Sequence, residues 1–170
     1  PVYAAAVILP PDARLDGIND SKKLSEKKRE ELFDVITKTA ISYHIASVDE
    51  KEIDEINILN ATHKAMCQAV AGLSPSPDYV IIDGNSIKGM DKPHETVVKG
   101  DAKSISIAAA SILAKVSRDR YITEMAEKYP EYGFDKHKGY GTKAHTEAIL
   151  EHGSCPIHRE TFLKKLLGER

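Results

Sequence analysis

The first half of the chain alternates between short apolar runs and longer segments in which apolar residues recur at helical spacing. The predicted elements, in order, are a buried strand at 2–9, a helix at 24–40, a strand at 41–49 and a long helix at 52–73. Pro10 ends the first strand because proline cannot donate to a ladder, Ser25 is the predicted N-cap of the first helix, and Gly72 ends the second helix. The inward-facing positions of the first helix are predicted to be Leu32, Val35 and Ile36.

The second half continues the alternation. Two short apolar strands are predicted at 78–84 and 95–101, followed by the longest helix from Ser104 to Lys128 and a shorter helix that ends near His152. Strands that alternate with helices predict an α/β or α+β sheet with helices on its faces.

Composition narrows the class of protein. The chain has 170 residues, of which 41% are hydrophobic and 29% charged, as in an ordinary globular protein, and we predict one domain over residues 1–170. No apolar run approaches the roughly 20 residues of a membrane span. Cys67 and Cys155 lie far apart, which gives no metal-binding pattern and favours a reducing, cytoplasmic location. With a formal charge of −2, any affinity for nucleic acid must come from local basic clusters.

Two acidic residues follow apolar strands in the same way. YVIID ends in Asp83 and TVVKGD ends in Asp101, each at the carboxyl end of a strand, where ligands usually bind. The adjacent Gly84 and Gly100 permit sharp turns and the close approach of a phosphate or an ion. Two neighbouring carboxylates repel each other unless a cation lies between them, and Mg²⁺ prefers such oxygen ligands. The pattern therefore indicates a metal site.

Each acid also has a structural interpretation. An Asp at a strand end often forms a turn or caps a helix, and Asp101 lies three residues before Ser104, where the longest helix begins. Spacing alone does not decide between the two roles. Asp119 is a further candidate, but its position inside the helix, between Arg118 and Arg120, favours a structural ion pair.

Seven segments together resemble one known family. They are NDSKKLSEKKREEL, INILNATHKAM, IIDGN, VKGDAKSISIAAASILAKVSRDR, YPEYGF, HKGYGT and PIHRETF, in this order. The sequence resembles bacterial ribonuclease HII, the type 2 ribonuclease H, over essentially its whole length. The stretch at 98–120 is highly specific to that family.

The resemblance implies a ribonuclease H-like fold of the α/β class, with a mixed central β-sheet flanked by helices and a helical C-terminal part. It implies four carboxylates that bind divalent ions, Mg²⁺ or Mn²⁺, about 4 Å apart for two-ion hydrolysis of a phosphodiester. Asp83 matches the third carboxylate and Asp101 the fourth, so both are expected to be catalytic and metal-binding. The implied substrates are RNA/DNA hybrids and duplex DNA that contains single ribonucleotides.

One part of the family pattern does not occur in the 170 residues. The family's first two carboxylates lie in an Asp-Glu pair followed by Gly-Arg-Gly, on the strand immediately before the one at 2–9. We expect unpaired backbone beside residues 2–9, and we expect residues 1–170 to be inactive or severely impaired in cleavage. The apolar start at Pro1 indicates the interior of a longer chain. The alternative function is a catalytically silent module that binds hybrid duplexes.

Basic and aromatic residues suggest contacts with nucleic acid. Asn19, Ser21, Lys22 and Lys23 resemble a family loop near the nucleic-acid backbone, and a solvated turn is an equal alternative. Tyr140 stands between two glycines, and the resemblance implies that it reads the ribose 2′-hydroxyl. Without the resemblance, Tyr140 would be interpreted as a lid over the core.

Other ligands and partners have weaker support. The histidines at 63, 137, 145 and 158 are scattered and match no zinc pattern, so ordinary polar roles are expected. An unrelated nucleotide-binding domain is a distant alternative, because the chain has no glycine-rich phosphate loop. We expect a monomer, and whether a sliding clamp is a partner stays open.

Overall fold

The computed structural model describes residues 1–18 and 23–168 of the chain. The strands are β1 (Val2–Ile8), β2 (Ser42–Val48), β3 (Val80–Asp83) and β4 (His94–Val97). The helices are α1 (Glu26–Thr39), α2 (Glu50–Ile56), α3 (Ile58–Ala71), α4 (Gly100–Lys103), α5 (Ile105–Lys128), α6 (Phe134–His137), α7 (Lys143–His152) and α8 (Glu160–Leu167). The predicted alternation of strands and helices, with a helical C-terminal part, is confirmed.

Strands β1 and β2 form an antiparallel pair that is covered on both faces. Val2 pairs with Val48 at one end and Ile8 with Ser42 at the other. One face packs on α3 through small and β-branched side chains: Ala4, Ala6, Ala46 and Val48. The other face contributes to the main core, in which α1 and α5 meet. Ala4 and Ala6 are buried and the other five residues of the strand are partly buried, so the prediction of a buried first strand is confirmed only in part.

Strands β3 and β4 form a separate parallel pair. Val80 pairs with His94 and Asp83 with Val97, so both strands end at the same edge. Within the described ranges, β1 has a ladder only with β2, and β3 has one only with β4. A groove of about 660 Å³ lies between them, with β1 and β3 as its walls. The expectation of unpaired backbone beside residues 2–9 is therefore confirmed for the part of the chain described.

The two helices with the clearest N-terminal signals begin where predicted. The Ser25 hydroxyl accepts a hydrogen bond from the Lys28 N–H at 3.1 Å, and the Ser104 hydroxyl accepts one from the Ile107 N–H at 3.3 Å. Leu32 and Ile36 are buried as expected. Val35 is 45% exposed, so its assignment to the inner face was wrong. It is not part of the core in which α1 and α5 meet.

The long helix predicted at 52–73 is two helices. Asn57 separates α2 from α3, because its φ of 69° lies in the left-handed region, where asparagine is tolerated better than most residues. Its side chain then caps α3 by accepting a hydrogen bond from the Asn60 N–H at 3.0 Å. The predicted stop at Gly72 is confirmed, since Gly72 is the C-cap of α3.

Helix α8 is anchored by a residue from a distant part of the chain. Its own N-cap residue makes no side-chain cap, and the Asp54 carboxylate accepts from the N–H groups of Glu160 at 2.8 Å and Thr161 at 3.2 Å instead. Burial raises the pKa of Asp54, but these hydrogen bonds and the Thr161 hydroxyl outweigh it, and the net pKa is lowered. The C-terminal helix is thereby joined to α2.

None of the helices within the described ranges has both the length and the apolar character needed to cross a membrane.

Candidate active site

Asp83 is the last residue of β3, and its side chain faces outward from the end of the sheet. Its carboxylate oxygen Oδ1 accepts a hydrogen bond from the Gly100 N–H at 2.9 Å. Gly100 is the first residue of α4 and the immediate neighbour of Asp101. The hydrogen bond therefore holds the backbone next to Asp101 against the Asp83 carboxylate.

Gly84 lies at the sharp turn that the sequence predicts, and Gly100 lies in a tightly packed position. Gly84 has φ +130°, a conformation that side chains rarely adopt, and its N–H donates to the Val97 carbonyl at 3.1 Å. A Cβ on Gly100 would lie 2.6 Å from Ile107 Cδ1 and 3.3 Å from Asp83 Oδ1. A side chain at position 100 would therefore require Ile107 to shift.

Asp101 does not lie at the end of a strand, as the sequence had suggested. Strand β4 ends at Val97, and Lys99 then takes φ +54°, a left-handed turn that starts the short helix α4. The Ala102 N–H donates to the Lys99 carbonyl at 3.1 Å and the Ser104 N–H to the Gly100 carbonyl at 2.8 Å, so the chain turns here instead of continuing the ladder. Asp101 sits partly buried in the first turn of α4. It also does not cap α5, because Ser104 has that role.

The Asp83 carboxylate and the backbone of Asp101 lie next to each other at the end of β3. Asp83 lines the groove between β1 and β3, and the floor of that groove consists of small residues on α5, such as Ala110 and Ser111. Carboxylate oxygens are the ligands that Mg²⁺ and Mn²⁺ prefer, so the donor type fits these ions. Across residues 1–18 and 23–168, no three His, Cys, Asp or Glu side chains come together in a way that could hold a metal. The described residues thus supply two acids, and any further ligand must come from elsewhere.

Asp119 is a structural ion-pair residue, as its sequence context indicates. It is buried, and its carboxylate lies 3.0 Å from Lys115 Nζ and 3.8 Å from Arg29 Nη2. These cations belong to α5 and α1, so the pair joins the two helices. The partners differ from the flanking arginines, because adjacent residues on a helix point in different directions.

Tyr140 lies on the loop between α6 and α7, and 62% of it is exposed. It is therefore not a lid over the core. The Arg118 guanidinium carbon lies 5.6 Å from the centre of its ring, a cation–π distance. Gly139, on its N-terminal side, has φ +86°.

The basic loop ahead of α1 is only partly described. Asn19, Ser21 and Lys22 lie outside the described residues. Lys23 is exposed and precedes the Ser25 cap of α1. Within the described ranges, no hydrogen bond or ion pair joins Tyr140 to either acid, whereas the Gly100 N–H links Asp83 to the backbone next to Asp101.

Of the histidines at 63, 137, 145 and 158, the last three lie close together in the structure, although they are far apart in sequence. The rings of His137 and His145 stack with centres 4.1 Å apart, and His145 Nε2 lies 2.8 Å from His158 Nε2. The sequence did not predict the contact between these three rings. Their separation along the chain carries no signal for this contact, which depends on the packing of α7 against the turn before α8.

We predict that acid destabilises this histidine cluster. Burial first, and then the nearby His145, lower the pKa of His158 from its usual 6.5 to about 4. The unfolded chain binds the proton more readily, so the stabilisation is complete above about pH 6.5 and is lost as the pH falls towards 4. We expect the free energy of unfolding to drop by roughly 1–3 kcal/mol across that range. Urea unfolding at several pH values measures the drop.

The matched variants for this prediction are His158→Gln and His94→Gln. His94 is an exposed residue of β4, so its replacement should leave the pH dependence unchanged. His158→Gln should flatten the dependence. An equal slope in both variants would contradict the prediction.

Comparison with known proteins gives a consistent result. The family model described as ribonuclease HII matches residues 1–165. A curated ribonuclease HII from Acetivibrio thermocellus is 59% identical over 167 residues, which are 98% of this chain and 65% of that relative. The chain thus spans about two thirds of the relative's length.

Solved structures share the fold. Ribonuclease H2 from Pyrococcus horikoshii OT3 superposes with a TM-score of 0.73 at 28% identity, covering 88% of this chain and 80% of that chain. The ribonuclease HII in the PCNA:RNase HII complex from Archaeoglobus fulgidus gives a TM-score of 0.65 at 25% identity, covering 85% and 77%. These neighbours confirm the predicted fold class.

Proposed function

Because the chain belongs to the ribonuclease HII family, we propose that it supplies part of the active site of an endonuclease acting on RNA within duplexes. The proposed substrates are RNA/DNA hybrids and duplex DNA with single embedded ribonucleotides, the latter in ribonucleotide excision repair. The observation that carries the proposal is the hydrogen bond from the Gly100 N–H to Asp83, which holds Asp83 beside the backbone of Asp101.

In the proposed mechanism, Asp83 and Asp101 would hold Mg²⁺ or Mn²⁺ through their carboxylate oxygens. When bound, such ions activate a water for attack on phosphorus and stabilise the leaving oxygen. Asp83 is kept in place by the Gly100 N–H, which occupies only one of its lone pairs and leaves the others for a ligand. The glycine turns bring a substrate phosphate close to the backbone.

We further propose that the groove between β1 and β3 receives a strand that carries the family's Asp-Glu pair. Both walls are strand edges without a ladder in the described part of the chain, and Asp83 lies on the wall formed by β3. A strand in the groove would join the two pairs into one mixed sheet. For experiments, the extended form is defined as residues 1–170 with the family's N-terminal Asp-Glu strand segment, taken from a relative, fused ahead of Pro1.

The second candidate, a silent module that binds duplexes, applies to residues 1–170 by themselves. It is favoured by the two-acid site, since no third ligating group accompanies Asp83 and Asp101 among the described residues. Lys23 and the Tyr140 loop would supply the contacts, together with Asn19, Ser21 and Lys22 outside the described residues. Cleavage assays with the extended form, beside residues 1–170, separate the two functions.

The test of substrate recognition is Tyr140→Phe in the extended form. Phenylalanine keeps ring stacking and removes the hydroxyl that we propose reads the ribose 2′-hydroxyl. We expect the preference for a duplex with one ribonucleotide over an all-DNA duplex to fall about tenfold, the effect of one hydrogen bond. Cleavage rates on a labelled duplex with one embedded ribonucleotide, and binding constants for both duplexes, measure it.

Tyr129→Phe is the control, because this substitution also removes a tyrosine hydroxyl but at the C-cap of α5. Unchanged discrimination in Tyr140→Phe would mean that the hydroxyl is not the reader. Failure of the unmodified extended form to cleave either substrate would instead contradict the proposed activity.

The partners and setting are also proposals. A sliding clamp is a candidate partner, supported by the PCNA complex of the Archaeoglobus protein. We propose that residues 1–170 act as one domain of a monomer. A cytoplasmic location is supported by the two cysteines, which form no disulfide.

A further inference from the structure

Behind the Tyr140 loop, three histidine rings form a cluster that the proposed mechanism does not use. His145 is 1% exposed and is packed between the His137 ring, with centres 4.1 Å apart, and Phe162, with centres 5.7 Å apart. Its Nε2 atom lies 2.8 Å from Nε2 of His158. Two such atoms can bond only if one carries a hydrogen and the other does not.

The backbone around His158 decides which atom carries it. The Cys155 N–H can only donate, and it lies 2.9 Å from His158 Nδ1, which must therefore accept. The neutral His158 ring then carries its hydrogen on Nε2. It donates this hydrogen to Nε2 of His145, which acts as the acceptor.

His145 is consequently left with its hydrogen on Nδ1. That atom lies 2.8 Å from the Tyr140 carbonyl oxygen, which can only accept. The same carbonyl also accepts from the Thr142 N–H at 2.8 Å, and the Thr142 hydroxyl accepts from the His145 N–H at 3.2 Å. The donors and acceptors are thus consistent from Cys155 to Tyr140, with both rings neutral.

The Tyr140 ring, by contrast, is left exposed. Arg118 approaches it from α5, and Arg118 Nη1 donates to the Lys138 carbonyl at 2.9 Å. A Cβ on Gly139 would lie 3.4 Å from Arg118 Nη2, so glycine lets the loop pass close to this arginine. The loop backbone is therefore held on one side by His145 and on the other by Arg118, while the ring faces solvent.

We propose that His158 and His145 form a hydrogen-bond relay that holds the Tyr140 carbonyl and thereby sets the position at which the Tyr140 ring meets the sugar of the nucleic acid. Both histidines are positioning residues, since the relay reaches Tyr140 only through its backbone carbonyl. The inference rests on the proposed function, in which Tyr140 contacts ribose.

The decisive variants are His158→Gln and His158→Leu. Glutamine places an amide N–H near the former Nε2 and can still donate to His145, whereas leucine cannot. Both lose the Nδ1 acceptor for Cys155, so they differ chiefly in the relay donor. We expect His158→Leu to lower the preference for a ribonucleotide-containing duplex by roughly fivefold to tenfold, and His158→Gln to retain most of it. A merely structural role for the ring would affect both alike.

Nitrogen-15 NMR of the imidazole rings in the 170-residue chain gives a readout that does not depend on binding. His145 should be neutral with its hydrogen on Nδ1, and the Tyr140 and Thr142 amide signals should shift in His158→Leu and stay near their original positions in His158→Gln. A His145 ring protonated on Nε2 would overturn the relay, whether or not the leucine variant folds. Equal ribose preference in both variants would overturn it as well.

The proposed function and the relay fail in different ways. If the unmodified chain binds ribonucleotide-containing and all-DNA duplexes equally, Tyr140 is not a ribose reader and the proposed recognition is wrong. In that case the two histidines have no role in ribose recognition, even if the NMR signals support the hydrogen bonds between them. If the unmodified chain prefers ribose and the two variants match it, the relay alone is wrong.

Discussion

Replacing Asp83 or Asp101 by asparagine in the extended form should lower the rate of metal-dependent cleavage by about 100-fold or more, because a metal-holding carboxylate contributes several kcal/mol of transition-state stabilisation. Asparagine keeps an oxygen that can accept from the Gly100 N–H, so Asp83→Asn preserves the packing of α4 on β3 and removes only the charge. The same logic applies to Asp101, whose side chain makes no helix cap that the substitution would break. Initial rates on a labelled duplex with one ribonucleotide, measured over a range of Mn²⁺ concentrations, give the loss.

Asp12→Asn is the matched control, since Asp12 is an exposed acid in the loop after β1, outside the groove, and the substitution changes the charge equally. It should cleave at the unmodified rate. The asparagine variants should also bind Mn²⁺ more weakly, with no change in the thermal unfolding midpoint beyond a few degrees. Normal cleavage by either variant would remove that carboxylate from the catalytic site.

Local signals accounted for the elements that the sequence predicted well. A serine followed by a helical apolar stripe was sufficient for α1 and α5, because an N-cap hydrogen bond depends only on residues three positions apart. The strands at β1 and β3 were recognisable as short apolar runs for a similar reason. The break at Asn57 has a local cause too, but an asparagine inside an amphipathic pattern is ambiguous until its φ is known.

The features that sequence did not reveal depend on contacts between distant segments. The N-terminal cap of α8 is the Asp54 carboxylate. It accepts a hydrogen bond from the Glu160 N–H, 106 residues further along the chain. The relay between His145 and His158 depends on how two helical segments pack. The contact between Asp83 and Gly100 could be predicted only in part. The sequence identifies the glycines as turn residues, but it does not reveal the hydrogen bond, which spans 17 residues.

The proposed metal site shows the limit of inference from spacing. Two strand-end acids suggested a shared cation, yet each alone was as consistent with a turn or a cap. The resemblance to a family assigned the acids, and the geometry explains why both positions are next to glycine. Strand β4 nevertheless ends before Asp101, since the left-handed Lys99 turns the chain into α4. A pattern of apolar residues cannot show where a ladder stops and a helical turn begins.

Residues 1–170 by themselves should show no measurable cleavage of a duplex with an embedded ribonucleotide, in Mg²⁺ or in Mn²⁺. Two carboxylates give a weak site, because Mg²⁺ gives up its water ligands reluctantly and the described residues supply no third ligating group. Weak duplex binding that falls steeply with salt should persist, since phosphate contacts do not need the metal. Gel assays of cleavage and binding at low and high salt check both expectations.

The groove explains how activity should return. Its walls are the open edges of β1 and β3, and a strand seated there would form ladders on both sides while covering the small residues of α5. The family's Asp-Glu strand, added as a separate peptide or in the extended form, should therefore restore cleavage, whereas the same strand with Asn-Gln in place of Asp-Glu should enter the groove and restore none. Protection of β1 amides from hydrogen exchange reports entry of either strand. Cleavage by residues 1–170 alone that disappears in Asp101→Asn would show that two carboxylates suffice, and the proposed need for a strand in the groove would then be wrong.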